Sequence, residues 1–180
     1  MKTVEDMATR EAYSLDSNSV KRLKMFVGGK WISSKTNAYS PVYNASTGEV
    51  IAEAPRCLVE EVNDAVAAAK AAFEPWSETP AQQRVQVLFR FKALLDEHLD
   101  ELATILAVEN GKTHAEAVGS IQRGIEIVEF ACGAPTLLMG ESLENVSRGM
   151  DVVTWRQPLG VCAGIVPFNF PAMIPMWMFP

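Results

Sequence analysis

Apolar and polar residues alternate from Met25 to Ser33 around Gly28-Gly29, a period-two pattern that predicts a β-hairpin. Asn44-Ala-Ser-Thr-Gly48 marks a second turn, and Glu49 to Ala54 a second short strand. From Leu58 the period lengthens. Leu58, Val62, Ala65, Val66, Ala69 and Phe73 share one helical face, while Glu60, Asp64 and Lys70 lie elsewhere. Glu60 and Glu61 fall in the first turn, where the helix dipole favours acids. Thr79-Pro80 reads as the next helix start, with Thr79 as N-cap and Pro80 at the first helical position. Ala81, Val85, Leu88, Leu95, Leu99 and Leu102 keep the helical period until the stop signal Asn110-Gly111. A third helix is predicted from about His114 to near Cys132, with Ile121, Ile125 and Val128 facing a core. Gly140 ends the helical structure that follows Pro135.

Met150 to Gln157 alternates again and predicts an exposed or edge strand. Val161 to Val166 is a short apolar run after the Pro158/Gly160 break, which suits a strand buried on both faces of a parallel sheet. Pro167 and Pro171 bracket Phe168-Asn169-Phe170, so the strand is expected to end near Val166 and Pro171 to enter a first helical turn. Asn169 would then lie at the carboxyl end of a sheet strand, where open α/β sheets place their ligands. Its carboxamide could donate to a developing oxyanion. Taken on the residues alone, capping the next helix or fixing the turn is the simpler role for it. Apolar helices with so few strands to pack on suggest the opening part of a larger α/β protein.

Charge narrows the classes of partner. Sixteen Lys and Arg against 22 Asp and Glu give a net charge of −6, which argues against nucleic acid or an anionic membrane. Leu159 to Pro180 carries no charge, but its four prolines make a membrane-spanning helix a poor reading. Met1 to Lys24 mixes acids with bases and reads as a flexible leader, neither signal nor transit peptide. Cys57, Cys132 and Cys162 are odd in number and lack metal-ligand spacing, as expected of reduced thiols in the cytoplasm. Cys162 reads as a buried small hydrophobe and Cys132 as too near a helix end for a reactive thiolate. His98 and His114 read as solvated helix-end histidines, and Lys112 as an exposed residue beyond a helix stop. No GxGxxG fingerprint is present.

Four stretches carry a resemblance: Phe26-Val-Gly-Gly-Lys-Trp31, Asn44-Ala-Ser-Thr-Gly-Glu49, Glu109-Asn-Gly-Lys112 and, above all, Pro158-Leu-Gly-Val-Cys-Ala-Gly-Ile-Val-Pro-Phe-Asn-Phe-Pro171. With them the chain from Met25 to Pro180 resembles the aldehyde dehydrogenase superfamily. Phe168 stands where most relatives carry Trp. Together with Ala172 to Pro180 and Gly119 to Cys132, it looks most like the CoA-acylating, methylmalonate-semialdehyde branch. The resemblance implies an α/β fold comprising the N-terminal part of the aldehyde dehydrogenase fold. Its parts would be a β-hairpin, long helices, an oligomerisation strand at about 150–157 and the first strand of the Rossmann-like NAD-binding sheet.

On this reading residues 25–180 are the N-terminal part of the NAD-binding domain, and the catalytic domain with its nucleophilic Cys lies beyond Pro180. The implied reaction is NAD-dependent oxidation of malonate or methylmalonate semialdehyde. Its acyl group passes to coenzyme A with loss of CO2, in a homo-oligomeric enzyme. Asn169 matches the family's oxyanion-hole amide, and Val166 and Phe168 match positions lining the nicotinamide-cofactor cleft. Arg123 matches a branch-specific arginine for the substrate carboxylate, a role suited to a bidentate donor. Its alternative is a solvated helix arginine paired with Glu126 at i+3. Two further readings stand beside this one. One is a non-acylating dehydrogenase of another aldehyde; the other is a short non-catalytic partner protein. The 180 residues alone are expected not to turn over substrate.

Overall fold

The computed structural model describes residues 20–180. The chain divides within a helix into two units, one reaching Ala68 and the other starting at Ala69. Most of the expected leader lies outside the described residues, and its last part is corrected. Lys21–Arg22 forms a short strand, β1, because Arg22 has something to hold: its Nε bonds the Glu53 carboxylate at 3.1 Å and its guanidinium lies 4.4 Å over the Tyr39 ring. A single sequence does not announce such a pairing, since a two-residue strand has no period.

The first unit continues with β2 (Met25–Val27) and β3 (Lys30–Ile32), paired in the expected hairpin. Gly28 at φ 57° and Gly29 at φ 76° supply the two left-handed residues that a two-residue hairpin turn needs. Phe26 and Trp31 face each other across it, ring centroids 5.0 Å apart. Next come β4 (Tyr39–Tyr43) and β5 (Val50–Pro55), joined by the Asn44–Gly48 turn. There the Asn44 side chain accepts from the N–H groups of Ser46 and Thr47. The sheet order is β1-β5-β4, with β1 parallel and β4 antiparallel to β5. β4 was not evident in the sequence because Pro41 sits inside it, which is tolerable only on an edge.

Helix α1 (Val59–Glu78) starts in this unit. Its first turn is fixed by Glu61, which is buried and accepts from Leu58 N–H at 2.8 Å, Lys35 N–H at 2.7 Å and Ser34 Oγ–H at 2.7 Å. These hydrogen bonds, that of Leu58 first, hold the Glu61 carboxyl below the ordinary glutamate value. The expected apolar face is only partly covered: Val62 and Val66 stay about half exposed.

In the second unit the helix expected to run unbroken to Asn110 is two, α2 (Ala81–Glu97) and α3 (Leu99–Asn110). His98 separates them at φ −100°, ψ 16°, and the apolar period passes through that one-residue break unchanged. Thr79 does not cap α2; its hydroxyl donates back to the Pro75 carbonyl. Helix α4 (His114–Ala131) carries a full capping box between Thr113 and Glu116, and the short α5 (Ala134–Leu137) follows. Leu95, Ala103, Leu106, Ala117, Ile121, Ile125 and Val128 form the core with Met176. Ile121 and Val128 are fully buried, as the period placed them.

Strands β6 (Ser142–Ser147) and β7 (Met150–Val153) make a further hairpin turned by Gly149, exposed along both strands. The predicted buried strand at Val161–Val166 is corrected. No described strand pairs with it, and Leu159 and Ile165 are 98% exposed. Its composition fits a ladder, but a strand exists only against a partner. Cys162 is likewise exposed instead of buried. The chain ends in α6 (Met173–Met178), and Pro171 lies just before the helix, not in its first turn. Among the described residues no helix is long and apolar enough to cross a membrane.

Two stability effects follow. Ile121→Ala should destabilise the fold by about 2–5 kcal/mol in urea unfolding, the range for emptying a buried isoleucine site. Glu61 and Glu116 both have lowered folded-state pKa values. Their contributions are therefore complete above the ordinary carboxylate range and lost as pH falls through the lower folded values. Protection of the Leu58 and Lys35 amides against hydrogen exchange should weaken as pH falls below the ordinary carboxylate range, and Glu61→Gln should remove that pH dependence there.

Candidate functional site

The site is assembled from two stretches that the sequence keeps far apart. Gly111 takes the left-handed conformation at φ 79°, and its N–H bonds the Ala107 carbonyl at 2.9 Å, closing α3. Asn110 and Lys112 flank that corner. Asn110 Nδ2 donates to the Phe168 carbonyl at 2.7 Å. Lys112 Nζ donates to the Asn169 carbonyl, and its ammonium lies 4.1 Å over the Phe170 ring. The Phe170 carbonyl in turn accepts from Ile174 N–H, the first helical bond into α6. Three successive carbonyls of the turn are thereby satisfied.

Below the turn, α6 packs on α4 at Gly124. A β-carbon there would fall 2.5 Å from Met176 Sδ and 3.4 Å from Met173 Cα. Met173 and Met176 are buried in that contact. Glycine is what lets the two helices approach so closely.

Each residue singled out in the sequence has a place in this frame. Asn169 is exposed, and its carboxamide makes no hydrogen bond among the described residues. It does not cap α6, whose N-cap is Ala172 without a side-chain bond. Val166 is half-buried and Phe168 more than half exposed, at the end of a segment whose peptide groups make no backbone ladder. Such a segment offers open N–H and C=O groups and apolar surface. Arg123 is exposed on α4 beside Gly124, without the Glu126 ion pair that its alternative reading called for. The structure links Asn169 to Lys112 directly; it records no hydrogen bond between Arg123 and the turn.

The remaining candidates are quiet. His98 meets Glu101 at 3.0 Å and His114 meets Asp100 at 3.2 Å, both in exposed settings. Burial, then Glu129, pushes the Cys132 thiol above its ordinary value, which disfavours a thiolate. Burial likewise raises the Glu109 carboxyl at the end of α3. No group of acidic, His and Cys residues able to hold a metal occurs among the described residues. Lys112 is a miss: instead of a solvated residue it is half-buried and grips the turn. The available signal was the helix stop itself, since a left-handed corner must send its next side chain somewhere specific.

Comparison with known proteins agrees with this picture. A model of the aldehyde dehydrogenase family matches residues 31–180. Malonate-semialdehyde dehydrogenase 2 of Oceanobacillus iheyensis is 48% identical over 92% of the chain and 34% of its own length. Malonate-semialdehyde dehydrogenase 1 of Geobacillus kaustophilus is 52% identical over 88% of the chain and 32% of its own length. Among solved structures, one described as a methylmalonate-semialdehyde dehydrogenase of Sinorhizobium meliloti complexed with NAD superposes with a TM-score of 0.85. It is 40% identical over 91% of this chain and 33% of that one. The methylmalonate-semialdehyde dehydrogenase of Oceanimonas doudoroffii gives a TM-score of 0.84 at 42% identity, over 89% and 33%. The chain thus spans about a third of the length of the curated relatives it matches.

Proposed function

Since the chain belongs to the aldehyde dehydrogenase family, we propose that it forms the N-terminal portion of an NAD-dependent, CoA-acylating dehydrogenase of malonate or methylmalonate semialdehyde. Its architecture is the N-terminal part of that family's fold. The products would be acetyl-CoA or propanoyl-CoA, with loss of CO2. The substrate class is supported by the semialdehyde dehydrogenases at about half identity, and NAD by the cofactor in the S. meliloti structure.

The observation that carries the mechanistic reading is the Asn169 carboxamide, exposed and without a hydrogen bond among the described residues, on a turn whose Phe168, Asn169 and Phe170 carbonyls are engaged. Addition of a thiolate to an aldehyde turns the carbonyl oxygen into an oxyanion, and an amide N–H already aimed there stabilises it without reorganisation. Val166 and Phe168 would flank the nicotinamide end of the cofactor, which supplies the hydride acceptor when bound. Arg123, exposed and without an ion pair among the described residues, would take the substrate's carboxylate in a two-pronged bond. None of the three cysteines is assigned as nucleophile, so that thiol belongs to the remainder of the family's fold. The exposed β6–β7 hairpin supports homo-oligomerisation, and three free cysteines support a cytoplasmic setting.

In the full-length enzyme Asn169→Ala should lower kcat by ~10²–10³, the usual loss of one oxyanion donor. An unchanged kcat in steady-state assays would remove Asn169 from the reaction. Arg123→Ala should raise KM for a carboxylated semialdehyde by about tenfold or more while sparing an uncharged aldehyde of similar length. An unchanged KM for the carboxylated semialdehyde, or hydrolysis to free acid without acyl-CoA, would favour a non-acylating dehydrogenase of another aldehyde.

A further inference from the structure

We propose that Asn110 and Lys112 are positioning residues that set the aim of the Asn169 amide; this rests on the oxyanion role proposed for Asn169 above. The reasoning is geometric. A residue's backbone has two soft dihedrals, one on each side of its Cα, because the flanking peptide units are planar. The unit before the Asn169 Cα carries the Phe168 carbonyl, held by Asn110 Nδ2 at 2.7 Å. The unit after it carries the Asn169 carbonyl, held by Lys112 Nζ. Pinning both planes removes the freedom of φ and ψ at Asn169 and so fixes the direction of its Cα–Cβ bond.

Both grips come from one corner. Asn110 is the last residue of α3, Gly111 turns left-handed, and Lys112 leaves on the other side. The Lys112 ammonium gains a second hold over the Phe170 ring, which keeps it from swinging away. Neither side chain bonds the Asn169 carboxamide, so neither competes with an oxyanion for its donors. The effect is to leave that amide free while its base is clamped.

A double-mutant cycle in the full-length enzyme tests this. Lys112→Met should lower kcat by about tenfold to a hundredfold, the scale of a small misplacement near reacting atoms, with KM changed by less than about threefold. In an Asn169→Ala background the same substitution should change kcat by less than about twofold, because the group it aims is gone. Lys112→Arg, which can still donate to the carbonyl and lie over the ring, should recover most of the loss. Asn110→Ala is the milder second variant and should behave like Lys112→Met. Amide exchange over residues 168–174 should quicken about tenfold in Lys112→Met, at an unchanged overall melting temperature. Equal kcat losses in both backgrounds would overturn the inference, as would unchanged kcat with unchanged exchange. If Asn169→Ala itself is silent, the oxyanion reading fails, and the exchange measurement still decides whether the clamp holds the turn.

Discussion

Everything at the end of this chain depends on how the carbonyls of Phe168 and Asn169 are satisfied. From Leu159 onward the sequence has no charge and many prolines, so it cannot build its own polar framework. It borrows one from side chains 57 and 58 residues earlier. An irregular turn has no ladder to supply partners for its carbonyls, so side chains from the end of α3 supply them here. The left-handed glycine that ends α3 is therefore doing two jobs: it stops a helix and it delivers two donors to the same turn.

Legibility followed the origin of each feature. The Gly28-Gly29 hairpin, the Gly111 stop and the inward face of α4 were readable because each is set within a few residues by a turn requirement or a helical period. β1, β4 and β6 were not, because a two-residue strand, a strand holding a proline and a strand whose apolar residues Leu143 and Val146 lie three apart leave no clear alternation. The break at His98 was invisible for the opposite reason, since the apolar positions on both sides stay in phase. The run at Val161–Val166 has the composition of a buried strand and none of the surroundings. Composition reports what a segment could pair with; pairing itself is decided elsewhere in the chain.

The site divides the same way. Asn169 stood out because two prolines isolate it, and its free carboxamide sets aside the helix-cap alternative that the sequence left open. Lys112 and Asn110 did not, because their partners are carbonyls, which every residue has and no sequence pattern marks. Glu61 is a similar case in the first unit: a charged residue on a helical face becomes the buried acceptor that ties a loop to the start of α1.

One last feature has mechanical meaning. Gly124 seats α6, and Arg123 is the residue immediately before it on α4. In the proposed roles, Arg123 meets the carboxylate of a short substrate and the turn leading into α6 meets its carbonyl. A side chain missing at Gly124 lets the two helices that carry those grips lie against each other, since a β-carbon there would meet Met176 Sδ and the Met173 backbone.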